Sequence, residues 1–177
     1  LLDGAGDNYT TLVTHAGSRS TFDNRTAFLN SEGEGRFDNQ GALVLNASNL
    51  QIRGTNNINT ATTNREDIGA LTINGGSHLR LNIEGTGYAG LGVDSLIRGT
   101  NGTLTIYATS SPANNTLTNQ TLGANTAAGG VNLSANFVVT NLDNVPTLTN
   151  NMVAPWIISR AEDQFLKYDN TNGFQII

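Results

Sequence analysis

Short runs in which apolar and polar residues alternate recur along the whole chain. Leu43 and Leu45 are separated by one residue, and the same spacing links Leu71 with Ile73 and Leu104 with Ile106. Other runs with this spacing are Leu50/Ile52, Leu79/Leu81/Ile83, Val131/Leu133 and Phe137/Val139. A period of two is typical of strands with one buried face, so the pattern predicts a chain built from short strands. Residues 159–166 would form at most one helical turn.

One strand phrase is repeated. Gly41-Ala42-Leu43-Val44-Leu45 returns as Gly69-Ala70-Leu71-Thr72-Ile73 and as Gly102-Thr103-Leu104-Thr105-Ile106, with a fainter copy from Gly130. A strand that restarts at intervals of roughly thirty residues is typical of a stacked β architecture. We therefore expect an all-β right-handed parallel β-helix, or β-solenoid. A β-sandwich is the alternative, and antiparallel pairing of 43–45 with 71–73 would favour it.

A second phrase leaves the repeat period open. Ile52-Arg53-Gly54-Thr55-Asn56 reappears as Ile97-Arg98-Gly99-Thr100-Asn101, at an offset that differs from that of the first phrase. We interpret Arg53 and Arg98 as equivalent coil corners, where an arginine covers backbone carbonyls. Asn46 and Asn74 fall at equivalent strand ends, which predicts a ladder of stacked side-chain amides.

The pattern divides the chain into three segments. Residues 1–40 form an irregular β entry segment, and residues 41–151 form solenoid coils joined by loops of variable length. Residues 152–177 form a Trp- and aromatic-rich strand-turn-strand segment that continues or caps the solenoid. Its turn lies at 170–173, where Asn-Gly signals a tight turn. Four aromatic residues are predicted to form one cluster, namely Trp156, Phe165, Tyr168 and Phe174.

Composition agrees with this fold and excludes several functions. The chain holds 25 Asn, 23 Thr and 20 Gly, and 13% of its residues are charged, against about 25% in ordinary domains. Asn and Gly favour turns and Thr favours strands. The absence of Cys excludes disulfides and thiolate metal sites. With a net charge of −5 and nine scattered Lys and Arg residues, the sequence gives no support for nucleic-acid binding.

The C-terminal segment resembles a known family. Pro155-Trp156, Asp163-Gln164-Phe165, Tyr168-Asp169 and Asn172-Gly173-Phe174 resemble a segment of bacterial surface proteins with autotransporter-associated β-strand repeats. The phrases from Gly69 and Gly102 resemble their short strand repeat, so the resemblance covers roughly 41–177, while Ile157-Ile158-Ser159 departs from the small residues expected after the Trp. The resemblance implies a secreted passenger, similar to a right-handed parallel β-helix, at the surface of a Gram-negative bacterium.

Candidate catalytic and metal sites are sparse. Glu32, Glu34 and Asp38, or the adjacent Glu66 and Asp67, would suit glycoside chemistry if two carboxylates lay in one groove. We interpret them as solvated loop residues. Asp3-Gly4-Ala5-Gly6-Asp7 is a single Gly/Asp-rich turn, whereas calcium-binding repeats of this type need several copies. His15 and His78 lack ligand spacing, and Ser77-His78 is expected to be exposed.

These observations favour a mechanical protein over an enzyme. We expect no catalytic residue, metal or cofactor. We read the chain as a piece of a longer surface protein, a rigid stalk whose polar loops contact glycans, host surfaces or sister cells. Neighbouring coils of the longer chain, and self-association through exposed ends, are further expected contacts. The alternative function is a polysaccharide-degrading lyase or hydrolase on the same scaffold.

Overall fold

The structure is a computed structural model that describes residues 11–24, 37–54, 65–83, 88–110, 122–123, 126–128, 131–150, 152–160 and 164–177. These ranges are almost entirely strand, with one 3-10 turn at Leu142–Asn144. The strands are β1 (Thr11–Thr14), β2 (Arg19–Asp23), β3 (Ala42–Asn46), β4 (Asn49–Arg53), β5 (Arg65–Asn74), β6 (Gly76–Ile83), β7 (Tyr88–Arg98), β8 (Thr103–Ser110), β9 (Thr126–Ala128), β10 (Val131–Val139), β11 (Leu148–Thr149), β12 (Met152–Val153), β13 (Ile157–Ser159), β14 (Leu166–Asp169) and β15 (Gly173–Ile176). The predicted all-β class is confirmed.

The first eight strands alternate between two parallel sheets. One sheet has the order β1-β3-β5-β7-β10-β9 and the other has the order β2-β4-β6-β8-β13. All neighbours are parallel except β9, which pairs antiparallel with the first residues of β10. Two consecutive strands, one in each sheet, therefore form a rung, and the next two strands lie beside them.

The spacing of the rungs confirms the predicted restart of the strands. Asn46 lies opposite Asn74, 28 positions away, and Asp23 lies opposite Arg53, 30 positions away. Leu43 is the parallel partner of Leu71, and Leu45 is that of Ile73. This pairing contradicts the antiparallel arrangement that would have favoured a β-sandwich.

The hydrophobic core lies between the two parallel sheets. One cluster of buried residues joins Leu43, Leu45, Leu71 and Ile73 of the six-stranded sheet to residues of the five-stranded sheet. The latter include Leu50, Ile52, Leu79, Leu81, Leu104 and Ile106, all with no exposed surface. Apolar side chains of one rung lie against apolar side chains of the next, so each rung completes the burial of its neighbour.

The repeated phrases are not all structurally equivalent. Leu104 and Ile106 lie on β8 of the five-stranded sheet, opposite Ser77 and Leu79, and the residue opposite Leu71 is Leu96. The third copy of the phrase therefore does not continue the row that the first two copies form. These strands resemble each other because every strand must bury alternate Leu or Ile residues, whichever sheet it joins. Gly130, the start of the faint fourth copy, lies outside the described residues.

The second phrase is also split between the sheets. Ile52 lies on β4 of the five-stranded sheet, whereas Ile97 lies on β7 of the six-stranded sheet. Arg53 and Arg98 are therefore not equivalent corners, and their spacing is not a repeat period.

The predicted segment boundaries do not separate the sheets. β1 and β2 pair with β3 and β4, so the described residues before position 40 belong to the same stack. β13 joins the five-stranded sheet, while β11, β12, β14 and β15 form a separate antiparallel sheet. The turn predicted between β14 and β15 is confirmed, with Gly173 at φ +70°.

Candidate functional site

Among the described candidate glycosidase carboxylates, Asp38 follows Phe37, whose N–H binds Glu66, whereas Asp67 lies on the other face of β5. Glu66 and Asp67 are consecutive in β5, so their side chains point to opposite faces of the sheet. Asp67 accepts a hydrogen bond from Arg65 Nε at 2.6 Å, and Asp38 accepts one from the backbone N–H of Gln40 at 2.9 Å. Glu32 and Glu34, like the Gly/Asp-rich turn at 3–7, lie outside the described residues. Within the described ranges, no three His, Asp or Glu residues are placed to hold a metal ion.

Glu66 is a buried residue whose side chain connects three segments by hydrogen bonds. Its interpretation as a solvated loop residue is therefore wrong. Its side chain is completely buried. Oε1 accepts a hydrogen bond from the backbone N–H of Phe37 at 2.7 Å, and Oε2 accepts one from Asn24 Nδ2 at 3.1 Å. Burying a carboxylate is costly unless such donors satisfy it. Glu66 thus joins β5 to the residues that follow β2 and precede β3, a structural role rather than a catalytic one.

The histidines form no catalytic arrangement with the serines that the structure describes. His15 is exposed, and His78 is half-buried on the outer side of β6. The expected exposure of Ser77 is wrong, because Ser77 is buried and its hydroxyl donates to the carbonyl of Asn74 at 3.4 Å. The reason is the parity of β6, which turns Ser77 inward together with Leu79 and Leu81.

The predicted amide ladder is confirmed. Asn74 Nδ2 donates to Asn46 Oδ1 at 2.8 Å, and Asn46 Nδ2 donates to the carbonyl of Thr14 at 3.0 Å. On the other side, the backbone N–H of Thr100 donates to Asn74 Oδ1 at 2.9 Å. The row therefore crosses four rungs and satisfies polar groups where the chain leaves the six-stranded sheet.

The C-terminal aromatic residues are divided, so the predicted single cluster is only partly correct. Tyr168 and Phe174 pack together at 4.9 Å between ring centroids, and Phe174 stacks on Phe137 of β10 at 4.8 Å. The hydroxyl of Tyr168 accepts from the N–H of Val139 at 3.0 Å and donates to its carbonyl. Burial raises the pKa of the Tyr168 phenol, against the opposing effect of the Val139 hydrogen bond. Phe165 is outside this cluster and 52% exposed.

An apolar pocket lies beside the antiparallel sheet. Its volume is about 480 Å³. It is lined by Thr147, Thr149, Met152, Val153, Ala154, Pro155 and Phe165. The described residues that line it are apolar apart from the hydroxyls of Thr147 and Thr149, so this part of the pocket offers mainly shape and apolar surface.

Trp156 is held by Arg98, at the point where the two parallel sheets meet the C-terminal segment. The Arg98 guanidinium lies 5.9 Å from the centroid of the indole ring, and its Nε donates to the carbonyl of Gly102 at 2.9 Å. The prediction that an arginine covers a backbone carbonyl is confirmed for Arg98. Arg53 instead pairs with Asp23, with Nη1 and Oδ2 3.3 Å apart.

The five-stranded sheet collects arginines that are scattered in the sequence. Arg19 lies on β2, Arg53 on β4 and Arg80 on β6, and Arg160 follows β13 directly. Asp23 is the one acidic residue in the described strands of this sheet. Sequence reasoning missed this grouping, because the residues are some 30 positions apart. The alternating pattern could have indicated the grouping, because each of these arginines falls at a position that is not occupied by the buried Leu and Ile residues of its strand.

Comparisons with known proteins leave the family open. No family model, curated protein or solved structure matches the chain. Among the described residues, no helix has the length and apolar character needed to cross a membrane.

Proposed function

We propose that this chain is a structural and adhesive segment of a large secreted protein at the surface of a Gram-negative bacterium. Its fold is a right-handed parallel β-solenoid, and its polar outer surface and loops contact glycans or neighbouring cells. The observation that carries this proposal is the in-register parallel stacking of strands that alternate between two sheets. Right-handedness follows from the strong preference of parallel crossover connections for that hand.

The mechanism is mechanical. Each rung presents apolar side chains that a single rung cannot bury, so stability comes from the contact between neighbouring rungs. The Asn46–Asn74 amide pair adds a hydrogen bond along the stacking direction. A stack of this kind extends by adding rungs, which makes it suitable as a stiff spacer that holds a contact surface away from the cell.

The described residues favour this function over the polysaccharide-degrading alternative. Glu66 lies next to the segment that carries Asp38 but is enclosed in the core, and Asp67 is on the outer side of the same strand. A retaining or inverting glycosidase needs two carboxyl groups facing one groove, about 5–10 Å apart.

The stacking is tested with pairs of pyrene-labelled cysteines. Val44 and Thr72 are register partners on the outer side of β3 and β5, so V44C/T72C should give strong excimer fluorescence. V44C/T105C is the matched control, because Thr105 lies in the other sheet. Equal excimer emission from the two pairs would contradict the solenoid.

The adhesive role is tested with beads that carry the 177-residue chain. We expect saturable attachment to glycan-coated surfaces and no release of reducing or unsaturated sugar ends. Release of such ends from a polysaccharide would support the enzyme instead.

A further inference from the structure

We propose that the outer face of the five-stranded sheet is a binding site for an anionic polysaccharide whose carboxylates pair with Arg19, Arg53, Arg80 and Arg160. The inference rests on the adhesive function proposed above and names its ligand class and its surface.

The charge of this face is opposite to that of the whole chain. The chain has a net charge of −5. The five strands and the residue after β13 nevertheless carry four arginines and a single carboxylate, Asp23. The described strands of the six-stranded sheet, in contrast, hold two arginines, the exposed or partly exposed Asp67 and Asp94, and the buried Glu66. A polymer with repeated negative charges would therefore be attracted to one sheet and not to the other.

The register shows that these arginines share the outer face. Their neighbours in the strands point into the core, as Leu79 and Leu81 do on either side of Arg80. Arg80 lies opposite Gln51 on one side and Tyr107 on the other. The N–H of Arg160 donates to the carbonyl of Ile106 at 3.0 Å, which places Arg160 next to Tyr107.

Three of the guanidinium groups are held in place by neighbouring side chains. Arg80 donates from Nε to Thr109 Oγ1 at 2.9 Å and from Nη2 to Asn82 Oδ1 at 3.3 Å. Arg160 lies over the ring of Tyr107, 5.0 Å from its centroid. Arg53 is oriented by Asp23. Because Asn82, Thr109 and Tyr107 are uncharged, they orient Arg80 and Arg160 without neutralising them.

This arrangement suits carboxylate groups on a chain. A guanidinium presents a planar fork of donors that matches a carboxylate, and a fork that is already oriented loses less entropy on binding. Arg19, Arg53 and Arg80 lie on the adjacent strands β2, β4 and β6, which are about 4.8 Å apart, and Arg160 lies two strands beyond Arg80. Their positions along the strands differ, because Arg19 is opposite Asn49 and Arg53 is opposite Asn82, so the four guanidinium groups form an irregular patch that extends across the strands. A linear polyuronate carries one carboxylate on each sugar, and one chain that crosses the strands offers carboxylates to several of these groups. We therefore expect the polysaccharide to lie along the stacking direction.

The test measures binding of polygalacturonate to the 177-residue chain, with methyl-esterified polygalacturonate as the uncharged control ligand. We expect saturable binding of the acidic polymer that weakens as salt is added, and much weaker binding of the ester. The double variant R19Q/R160Q removes two exposed positive charges, and the Kd for polygalacturonate should rise by about fivefold for each arginine replaced. K167Q, which removes one exposed positive charge from the antiparallel sheet, should leave binding within about twofold. Circular dichroism verifies that each variant is folded.

Several results would overturn the inference. These are equal binding of the acid and the ester, an equal loss in K167Q, no loss in R19Q/R160Q, or no binding of polygalacturonate at all. A DNA duplex that binds as tightly as polygalacturonate would also overturn it, because the face would then select charge alone. The excimer measurement is independent of these binding results. A failure of the ligand assignment therefore leaves the proposed solenoid fold unaffected.

Discussion

At the scale of single residues, Glu66 and Asp67 show how strand parity decides the role of a side chain. The two carboxylates are adjacent in sequence, yet Glu66 is enclosed in the core and 32% of the Asp67 side chain remains exposed. Glu66 satisfies two buried donors, whereas Asp67 forms an ion pair with Arg65 at the surface.

We predict that Glu66→Gln destabilises the fold by about 2 kcal/mol. The Glu66 carboxylate uses one oxygen for the N–H of Phe37 and the other for Asn24 Nδ2, whereas the amide of Gln has a single oxygen and leaves one donor without its acceptor. Asp67→Asn is the control and should cost less than about 1 kcal/mol, as is usual for exposed ion pairs. Urea denaturation of the three proteins measures both values. A larger loss for Asp67→Asn would refute the structural role assigned to Glu66.

The residue scale also marks the limit of the sequence analysis. The amide ladder was predictable, because Asn46 and Asn74 end matching phrases in strands that are true neighbours. The burial of Glu66 and Ser77 was not, because a charged or polar residue carries no sign of the face it will occupy until the strand limits are known. The arginine face requires the register of several strands at once, which local alternation does not supply.

At the scale of the elements, the β14–β15 hairpin depends on Gly173. This residue adopts φ +70°, and a Cβ atom there would lie 2.0 Å from the carbonyl oxygen of Phe137. Gly17 has a similar φ of +75°, but a Cβ atom at that position would meet no atom within 4 Å. A comparison of alanine substitutions at the two glycines therefore distinguishes the cost of backbone strain from the cost of a steric clash.

Gly173→Ala should destabilise the protein by about 3 kcal/mol or more, through strain and clash together. Gly17→Ala should cost about 1 kcal/mol, through strain alone. Thermal or urea unfolding of both variants measures the difference. Equal effects would show that the hairpin does not pack against β10 as described.

The same hairpin is expected to respond to acid through Asp169. Partial burial tends to raise the pKa of this carboxyl, but hydrogen bonds from Asn172, Gln175 and Thr171 outweigh it and lower the pKa. A lowered folded-state pKa stabilises the fold above the unfolded pKa of about 3.9, and this contribution is lost as pH falls through the folded value.

The stability difference between the wild type and Asp169→Asn should therefore be larger at pH 6 than at pH 2.5. Urea midpoints across this range give the measurement. Asp94→Asn, which removes an exposed carboxylate from β7, controls for the general effect of charge. A wild-type advantage that stays constant down to pH 2.5 would argue against the hydrogen bonds around Asp169.

The alternating apolar pattern predicted the elements well but not their assignment to sheets. The strands around Leu43, Leu50, Leu71 and Leu79 were all anticipated, and so was the turn before Gly173. The copy around Leu104 was misplaced because a buried Leu or Ile row looks alike in both sheets. The copy around Ile97 was misplaced because Ile97 is 44% exposed, whereas Ile52 in the first copy is buried. Which sheet a strand joins follows from its place in the alternation between the two sheets, and a repeated phrase does not record that place.

At the scale of the whole molecule, stability should follow position in the stack. β5 and β6 have a parallel neighbour on each side, whereas β1 and β2 have one described neighbour each. In stacked folds, opening starts from units that lack a neighbour.

We therefore expect backbone amides of β5 and β6 to exchange hydrogen more slowly than those of β1 and β2. Hydrogen exchange with mass spectrometry on peptides from 65–83 and 11–24 makes this comparison. Identical protection in both regions would mean that the rungs open as one cooperative unit.

The contact between Arg98 and Trp156 gives this molecule a built-in optical probe. The chain has a single tryptophan, and its indole ring lies under a guanidinium that belongs to β7. The chain also has four tyrosines, so the tryptophan must be excited selectively. Tryptophan fluorescence then reports one location, the contact between the parallel sheets and the C-terminal segment, while far-ultraviolet circular dichroism averages over every strand. If the two signals change at different denaturant concentrations, the contact between Arg98 and Trp156 opens independently of the parallel strands. Fluorescence and circular dichroism are then sufficient to follow that opening.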